Sequence, residues 1–229
     1  MNSLSLIIPV HNGEKFIERS LKEYFDFFTK RFQKLEIVVV CNACTDNTFN
    51  KSLNFSSKFP LKVLNVPERG KGNALIAGFG QAQNEIIGFL DADNSFDLNE
   101  ISKMISYLEN ADVVIVSKFK KNDFKHQTSL TRRFFSLGAS LVSKMFFGIN
   151  ASDTQGGAKF MKRTVWNKID KKFICKGFEF DIELLFNLKK VNAKIKEYFI
   201  LPKTTDFSTV KLRILPGIIF RLLKLRFLR

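Results

Sequence analysis

The first half of the chain alternates between short apolar runs and segments of helical periodicity, and this alternation restricts the possible fold more than any other feature. Five runs rich in β-branched residues predict strands, at 4–9, 36–40, 61–66, 86–90 and 112–117. Helical patterns begin between them, near Glu14, Asp46, Lys71 and Asp97. Strands that alternate with helices form a parallel sheet through right-handed crossovers. The sequence therefore predicts an α/β fold with a mostly parallel central sheet flanked by helices.

The second half of the chain is less regular. Residues 130–147 and 178–190 are predicted to be helical, and residues 156–160 and 193–201 to be strands. A length of 229 residues suits one α/β domain, and no linker or repeat divides the chain. We therefore expect one domain at 1–205 and a separate basic, apolar tail at 206–229.

Polar clusters follow three of the predicted strands. His11 and Asn12 follow the first strand, residues 42–46 follow the second, and residues 91–93 follow the fourth. Open parallel sheets bind their ligands at the carboxyl ends of the strands. These clusters therefore predict a binding site at that edge of the sheet.

The segment Phe89-Leu90-Asp91-Ala92-Asp93 predicts a metal site. Two carboxylates separated by one residue can bind the same hard cation, and Mg²⁺ or Mn²⁺ held by Asp91 and Asp93 would join them to a diphosphate. Such a cation neutralises the charge that develops on a departing phosphate group. A solvated turn before a helix explains the pair equally well when the pair is taken alone. The apolar strand that precedes it favours the metal site.

A glycine-rich loop, Arg69-Gly70-Lys71-Gly72-Asn73, precedes a predicted helix. Glycines allow a ligand to approach the backbone closely, and a helix N-terminus favours anions. Lys71 would add a positive charge beside a phosphate. The loop is not a Walker A motif, because no Ser or Thr follows Lys71. It predicts phosphate binding, with a glycine-capped turn as the alternative.

The net charge of +15 indicates anionic partners, which include nucleic acid, acidic lipid headgroups and phosphorylated substrates. The sequence has no zinc motif, ribonucleoprotein motif or helix-turn-helix pattern, so we expect no nucleic-acid partner and keep a nucleic-acid-binding protein as a remote alternative. The cysteines Cys41, Cys44 and Cys175 lack a second pair or a histidine cluster that would complete a zinc site, and we expect reduced thiols.

The start of the chain lacks the pattern of a signal peptide, and no apolar stretch reaches the length that spans a bilayer. We therefore expect a cytoplasmic protein. From Lys211 to Arg229 the tail carries six basic residues and no acidic one, interleaved with Leu, Ile and Phe. Such a segment can lie on an anionic membrane surface, which predicts peripheral binding at the inner face of the membrane. The alternative is a helix packed on the domain.

Six motifs occur in the order found in family 2 glycosyltransferases, at residues 7–12, 37–48, 69–73, 89–93, 153–160 and 180–184. The chain resembles the dolichyl-phosphate mannose synthase and dolichyl-phosphate glucosyltransferase branch over residues 4–200. The resemblance implies a nucleotide-diphospho-sugar transferase (A-type glycosyltransferase) fold, with residues 1–205 as the catalytic domain. It also implies a divalent metal and inverting transfer of a sugar from a nucleotide-diphosphate sugar to a polyprenyl phosphate. A saccharide hydroxyl acceptor in cell-surface polysaccharide assembly is the alternative.

The resemblance also assigns the donor site. Pro9 and His11 match the residues that lie against the nucleotide base, with His in place of the usual Tyr or Phe. Asp46 matches the last acid of a D-D-G-S-x-D stretch whose two leading acids are replaced by Cys41 and Asn42. The residues expected to bind the nucleotide are Pro9, His11, Asn12, Asn42, Asp46, Lys71 and Asp91.

The acceptor side is assigned in the same way. Residues 153–160 resemble a D-x-Q-x-G-F-K-x-F stretch of the sugar and acceptor pocket, which points to Asp153, Gln155, Gly156 and Gly157; the alternative for this stretch is a polar β-turn. Asp181 fits the position of the general base and, with Asp153, is expected to be catalytic; the alternative for Asp181 is an acid on a helix surface. Arg132 and Arg133 match acceptor-binding arginines, whose guanidinium groups suit phosphates; the alternative is that they are solvated surface residues.

Overall fold

The computed structural model of the chain describes residues 2–118, 144, 146–203 and 215–228. Within them one sheet contains seven strands: β1 Ser3–Val10, β2 Lys34–Asn42, β3 Lys62–Val66, β4 Ile86–Leu90, β5 Val113–Ser117, β6 Ala158–Lys162 and β7 Ile195–Phe199. Their order in the sheet is β3-β2-β1-β4-β6-β5-β7. Neighbouring strands are parallel except that β6 runs antiparallel to both β4 and β5. The predicted mostly parallel sheet is confirmed.

The described helices are α1 Ile17–Phe28, α2 Thr48–Ser56, α3 Lys71–Gln81, α4 Leu98–Ser106, α5 Arg163–Trp166, α6 Phe180–Lys190 and α7 Leu215–Leu228. The helix predicted near Glu14 begins later, because a turn in which Gly13 O accepts from Phe16 N and Ile17 N comes first. α4 begins where predicted, since Asp97 Oδ1 accepts from the backbone N–H groups of the first helical turn. The helix predicted at 130–147 lies mostly outside the described residues, although residues 144, 146 and 147 at its end are helical.

Helices cover both faces of the sheet, which explains why the strands are continuous apolar runs. Leu6 and Ile8 of β1 point into a core shared with α1, α2 and α4. Ile7, between them, points into the opposite core, which is shared with α3, α6 and α7. The carboxyl ends of the parallel strands β1, β2, β3 and β4 therefore lie along the same side of the sheet, between the helices that cover its two faces.

The tail contains α7, and one face of this helix packs on the domain. Leu222 and Leu225 are buried in the core beneath α3 and α6, and Arg221 forms an ion pair with the buried Glu179. Lys224, Arg226 and Phe227 are exposed. Among the described residues no helix is both long enough and apolar enough to span a bilayer. Packing of the tail, one of the two alternatives, is therefore observed for one face, and membrane contact by the other face stays a prediction.

Candidate active site

Asp91 and Asp93 lie at the carboxyl end of β4, and the backbone of Asp91 is held from two sides. Asp91 N donates to Gly157 O over 2.9 Å, and the buried Tyr24 hydroxyl donates to Asp91 O over 2.7 Å. Asp93 Oδ1 accepts from Ser95 N at 3.2 Å. The Asp91 side chain is nevertheless 40% exposed. Its carboxylate is therefore fixed in place and still open to a ligand.

Gly157 is placed directly against the Asp91 carboxylate. A Cβ at Gly157 would lie 2.2 Å from Asp91 Oδ2, whereas a Cβ at Gly156 would lie 2.3 Å from Val116 O in β5. Both glycines of the predicted acceptor stretch are thus required by contacts within the protein. Their contact with a sugar stays a prediction.

Lys71 begins α3 and joins the metal motif to α6. Its Nζ lies 2.9 Å from Asp91 Oδ1 and 4.0 Å from Asp181 Oδ2. Burial disfavours the charged ammonium, but the two carboxylates outweigh burial and raise the pKa of Lys71. The Lys71 side chain is therefore a cation at neutral pH beside the predicted metal ligand.

Asp181 is enclosed rather than exposed. Asp181 Oδ1 lies 2.6 Å from Lys159 Nζ, and the two side chains are 2% and 1% exposed. Lys159 Nζ also donates to Gly156 O at 3.0 Å and lies 5.3 Å from the centre of the Phe89 ring. The alternative of a helix-surface acid is wrong for Asp181, because its side chain is buried and points toward Lys159 of β6. The predicted role as a general base stays untested, although the geometry removes Asp181 from solvent.

The glycine-rich loop differs from its prediction. Gly72 N donates to Gly177 O and Asn73 N donates to Lys176 O, each over 3.2 Å. Gly70 has a φ of 144°, and a Cβ there would lie 2.2 Å from Lys176 O. The glycines therefore admit the backbone of the segment before α6, and the prediction that these amides bind a phosphate is corrected. The Lys71 side chain of this loop pairs with the carboxylates of Asp91 and Asp181.

Asn42 and His11 connect the ends of β1 and β2 to the same loop. Asn42 Nδ2 donates to Glu68 O at 2.6 Å, and its Oδ1 accepts from Gly70 N at 2.7 Å. His11 Nδ1 lies 2.8 Å from Asn42 O, so this nitrogen carries the proton and donates it. The buried Asn42 amide holds the loop, and the His11 ring is exposed. Contacts of His11 and Asn42 with a nucleotide stay predictions.

Asp46 and Asn12 serve as connections between loops. Asp46 accepts from Glu14 N at 3.1 Å and from Thr48 N at 3.0 Å. Burial opposes ionisation of Asp46, but the hydrogen bonds from Thr48 and from the Glu14 amide outweigh it and lower its pKa. Asn12 Oδ1 accepts from Thr45 N at 2.8 Å. Nucleotide contacts by Asp46, Asn12 and the half-buried Pro9 stay predictions.

The turn at 152–157 is held by two carboxylates, one from Asp153 within the turn and one from Glu197 of β7. Asp153 is buried, and its Oδ1 accepts from Gln155 N at 3.0 Å, as a polar turn requires. Glu197 of β7 accepts from Ser152 N at 2.7 Å and from Asp153 N at 3.2 Å. The polar-turn alternative thus describes Asp153, and its catalytic role stays a prediction. Arg132 and Arg133 lie outside the described residues.

Tyr24, Lys159 and Glu197 hold the site together, although the sequence predicted no role for them. Lys159 carried a usable signal, since a lysine within the apolar run Ala158-Lys159-Phe160-Met161 must be paired when the strand is buried. Tyr24 carried none, because it follows the same helical spacing as the core residues of α1.

The carboxylates fit a hard divalent cation. The described residues contain no group of three or more His, Cys, Asp or Glu side chains that could hold a metal ion. Asp91 and Asp93 would therefore supply two carboxylates, and phosphate oxygens and water would supply the remaining ligands, as Mg²⁺ prefers. The Lys71 ammonium beside Asp91 indicates that this position attracts a cation.

Comparison with known proteins decides the family. Residues 5–170 match the model of glycosyl transferase family 2. The chain belongs to this family. The recognition made from the six motifs is thus confirmed, and this family 2 glycosyltransferase is an enzyme.

Two named relatives come from the branch that the motifs indicated. The chain is 26% identical over 220 residues to a dolichyl-phosphate beta-glucosyltransferase of Trichomonas vaginalis, a match that covers 91% of this chain and 68% of the relative. It is 32% identical over 146 residues to the dolichol-phosphate mannosyltransferase of Pyrococcus furiosus, which covers 62% of this chain and 40% of the relative.

Solved structures establish the fold. Glucosyl-3-phosphoglycerate synthase from Mycobacterium tuberculosis, in complex with Mn²⁺, uridine diphosphate and phosphoglyceric acid, matches with a TM-score of 0.70 at 16% identity, covering 98% of this chain and 78% of that one. A mannosyltransferase from Pyrobaculum calidifontis, in complex with GDP-Man and Mn²⁺, matches with a TM-score of 0.58 at 18% identity, covering 89% and 57%. The predicted A-type glycosyltransferase fold is confirmed.

Proposed function

We propose that this glycosyltransferase transfers a sugar from a nucleotide-diphosphate sugar to a polyprenyl phosphate, with inversion at the anomeric carbon and with Mg²⁺ or Mn²⁺ as cofactor. The names of the relatives from Trichomonas vaginalis and Pyrococcus furiosus support this acceptor class. The structural observation that carries the proposal is the buried ion pair between Asp181 and Lys159.

The ion pair bears on the choice of acceptor. A sugar hydroxyl needs a base to collect its proton when it attacks, and a base must reach that proton. Asp181 is enclosed, with an ammonium 2.6 Å from one carboxylate oxygen. A phosphate is already ionised near neutral pH and needs no proton removed. The geometry therefore favours a phosphate acceptor over a saccharide hydroxyl.

Each group at the strand ends then has a defined task. Asp91 and Asp93 would hold the cation, which when bound supplies the charge that stabilises the departing diphosphate. Lys71 adds a fixed positive charge beside them, and the exposed His11 ring offers a face to the base. Asp153, Gln155 and the two glycines form the turn on the acceptor side, where Arg132 and Arg133 would bind the acceptor phosphate.

We also propose that residues 1–205 form the catalytic domain and that the tail at 206–229 brings it to the anionic inner face of a membrane. The exposed Lys224, Arg226 and Phe227 on α7 support this role. Cations near headgroups and an inserted aromatic ring are the features of a peripheral membrane helix.

The direct test is incubation with labelled uridine- and guanosine-diphosphate sugars, polyprenyl phosphate and Mn²⁺, followed by extraction of lipid-linked product. We expect product with one donor, and a loss of about 100-fold or more in Asp91→Asn or Asp93→Asn. Asp26→Asn removes an exposed carboxylate from α1 and serves as the matched control. When oligosaccharides are supplied alongside polyprenyl phosphate, labelled oligosaccharide without lipid product would establish the saccharide alternative. Full activity after chelation would remove the metal from the proposal.

A further inference from the structure

Four charged side chains form one row that begins at the carboxyl end of β4. Asp91, Lys71, Asp181 and Lys159 alternate in sign, with separations of 2.9, 4.0 and 2.6 Å between successive charged groups. Both ammonium groups also lie over the buried Phe89 ring, at 4.8 and 5.3 Å from its centre. The row runs from the half-exposed metal motif into the interior of the protein.

The two lysines of this row are held differently. Lys159 is 1% exposed and is bound by both Asp181 and the Gly156 carbonyl, so it neutralises Asp181 independently of Lys71. Lys71 is 14% exposed, and its nearest partner is the open carboxylate of Asp91. Lys71 is therefore the member of the row that can exchange partners.

We propose that Lys71 is a counter-ion that a divalent cation displaces from Asp91, and that the displaced ammonium then binds the donor diphosphate. Lys71 thereby couples metal binding to donor binding. This inference rests on the proposed function only in that it needs a metal and a nucleoside diphosphate at Asp91; the acceptor does not enter it.

The charges give the direction of the coupling. An ammonium 2.9 Å from Asp91 Oδ1 repels a cation that binds the same carboxylate. Lys71 can withdraw toward Asp181, which lies 4.0 Å away, so its displacement does not leave it without an anion. Without the metal, a diphosphate that attracted Lys71 would leave Asp91 and Asp93 unneutralised beside its own negative charge. Each ligand therefore favours binding of the other, by the same factor in both directions.

The variant Lys71→Met tests this coupling through binding alone. Mn²⁺ affinity is measured by calorimetry without nucleotide, and the affinities for uridine and guanosine diphosphate are measured with and without Mn²⁺. We expect Lys71→Met to bind Mn²⁺ alone about tenfold more tightly, because a competing cation is removed. We expect it to bind the diphosphate about tenfold more weakly in the presence of Mn²⁺, because a charge-assisted contact is lost.

Two further variants isolate the effect. Lys62→Met removes an equal charge from an ion pair near the amino ends of β2 and β3, away from the site, where Lys62 Nζ lies 2.8 Å from Glu36. This change should alter neither affinity. Lys71→Arg keeps the cation and should keep Mn²⁺ and diphosphate binding coupled. Thermal unfolding of each variant confirms that it is folded before affinities are compared.

Opposite changes in the two affinities support the inference. Unchanged or weaker Mn²⁺ binding by folded Lys71→Met would overturn it and leave Lys71 as a phosphate ligand only. Diphosphate binding by the unaltered protein that does not depend on Mn²⁺ would mean that no metal joins the diphosphate to Asp91, which would overturn both the inference and the proposed mechanism. Absence of lipid-linked product would contradict the proposed acceptor and leave the coupling in place.

Discussion

Asp91 owes its position to residues that lie far from it in the sequence. The Tyr24 hydroxyl and the Gly157 carbonyl hold its backbone, and Lys71 pairs with its carboxylate. Gly157 is the most sensitive of these residues, because it leaves space that the Asp91 side chain occupies. A metal motif of two acids therefore depends on a residue more than sixty positions away.

Gly157→Ala should displace the Asp91 carboxylate, because the added methyl group would lie 2.2 Å from Asp91 Oδ2. We expect loss of about 100-fold in glycosyl transfer, with Mn²⁺-dependent binding of the diphosphate weakened, as calorimetry will measure. Gly80→Ala in α3 is the matched control, since a Cβ there has no neighbour within 4 Å. That change should leave activity intact and stabilise the helix by about 0.5–1 kcal/mol. Equal activities of the two variants would contradict the proposed role of Asp91.

Individual residues were predictable where the local pattern determined their position. Asp91 and Asp93 were located because they follow an apolar strand whose end is visible in the sequence. The roles of Asn42 and of Gly70 were not predictable, because Asn42 bonds to a loop that the next crossover brings to it. The sequence of the glycine loop indicated an anion site because glycines at these positions allow close approach of either a phosphate or a protein backbone. In the structure, the backbone at Lys176 takes this place.

At the scale of secondary-structure elements, β6 is the strand that completes the site. It lies antiparallel between β4 and β5, carries Lys159, and follows the turn that contains Gly157. The strands β1 to β5 were predictable from their apolar runs. The placement of β6 was not, because the 40 residues between β5 and β6 separate it from its neighbours and no local signal gives the direction of pairing.

The ion pair between Lys159 of β6 and Asp181 of α6 should be strongly coupled. Asp181→Asn removes the carboxylate that pairs with the buried Lys159, and Lys159→Met leaves Asp181 with the more distant ammonium of Lys71, 4.0 Å away. Each change should cost about 3–5 kcal/mol of unfolding free energy. The double variant removes both charges, so its loss should be smaller than the sum of the two single losses by about 1–3 kcal/mol. Urea denaturation of the four proteins measures this difference.

The exposed pair of Lys22 and Asp26 in α1 provides the comparison for that cycle, and its coupling should be below about 0.5 kcal/mol. Additive losses at Lys159 and Asp181 would mean that the two side chains do not share a low-dielectric contact. In that case Asp181 would not be withdrawn from proton transfer, and a phosphate acceptor would be favoured no more than a saccharide hydroxyl.

At the scale of the whole molecule, the tail is the part that the sequence left undecided between packing on the domain and lying on a membrane. Basic and apolar residues interleave along it, so no single face was evident from the sequence. In the structure, the face of α7 that packs on the domain is the one that finds a buried carboxylate and an apolar core to contact. Buried Glu179 pairs with Arg221, and the core around α6 receives Leu222 and Leu225. Which face of α7 packs on the domain therefore depends on tertiary contacts, and the sequence of the tail alone does not reveal them.

The two faces of α7 should separate stability from membrane binding. Leu225 is fully buried, so Leu225→Ala should lower the free energy of unfolding by about 2–5 kcal/mol through the cavity it leaves. Phe227 is 85% exposed, so Phe227→Ala should change stability by less than about 0.5 kcal/mol. If the exposed face meets a membrane, Phe227→Ala should instead reduce sedimentation with anionic vesicles, because an aromatic ring no longer enters the interface. Vesicle binding that is unchanged in Phe227→Ala and in a Lys224→Gln, Arg226→Gln double variant would leave α7 as a packing helix only, and the polyprenyl phosphate would have to be met through another surface of the domain.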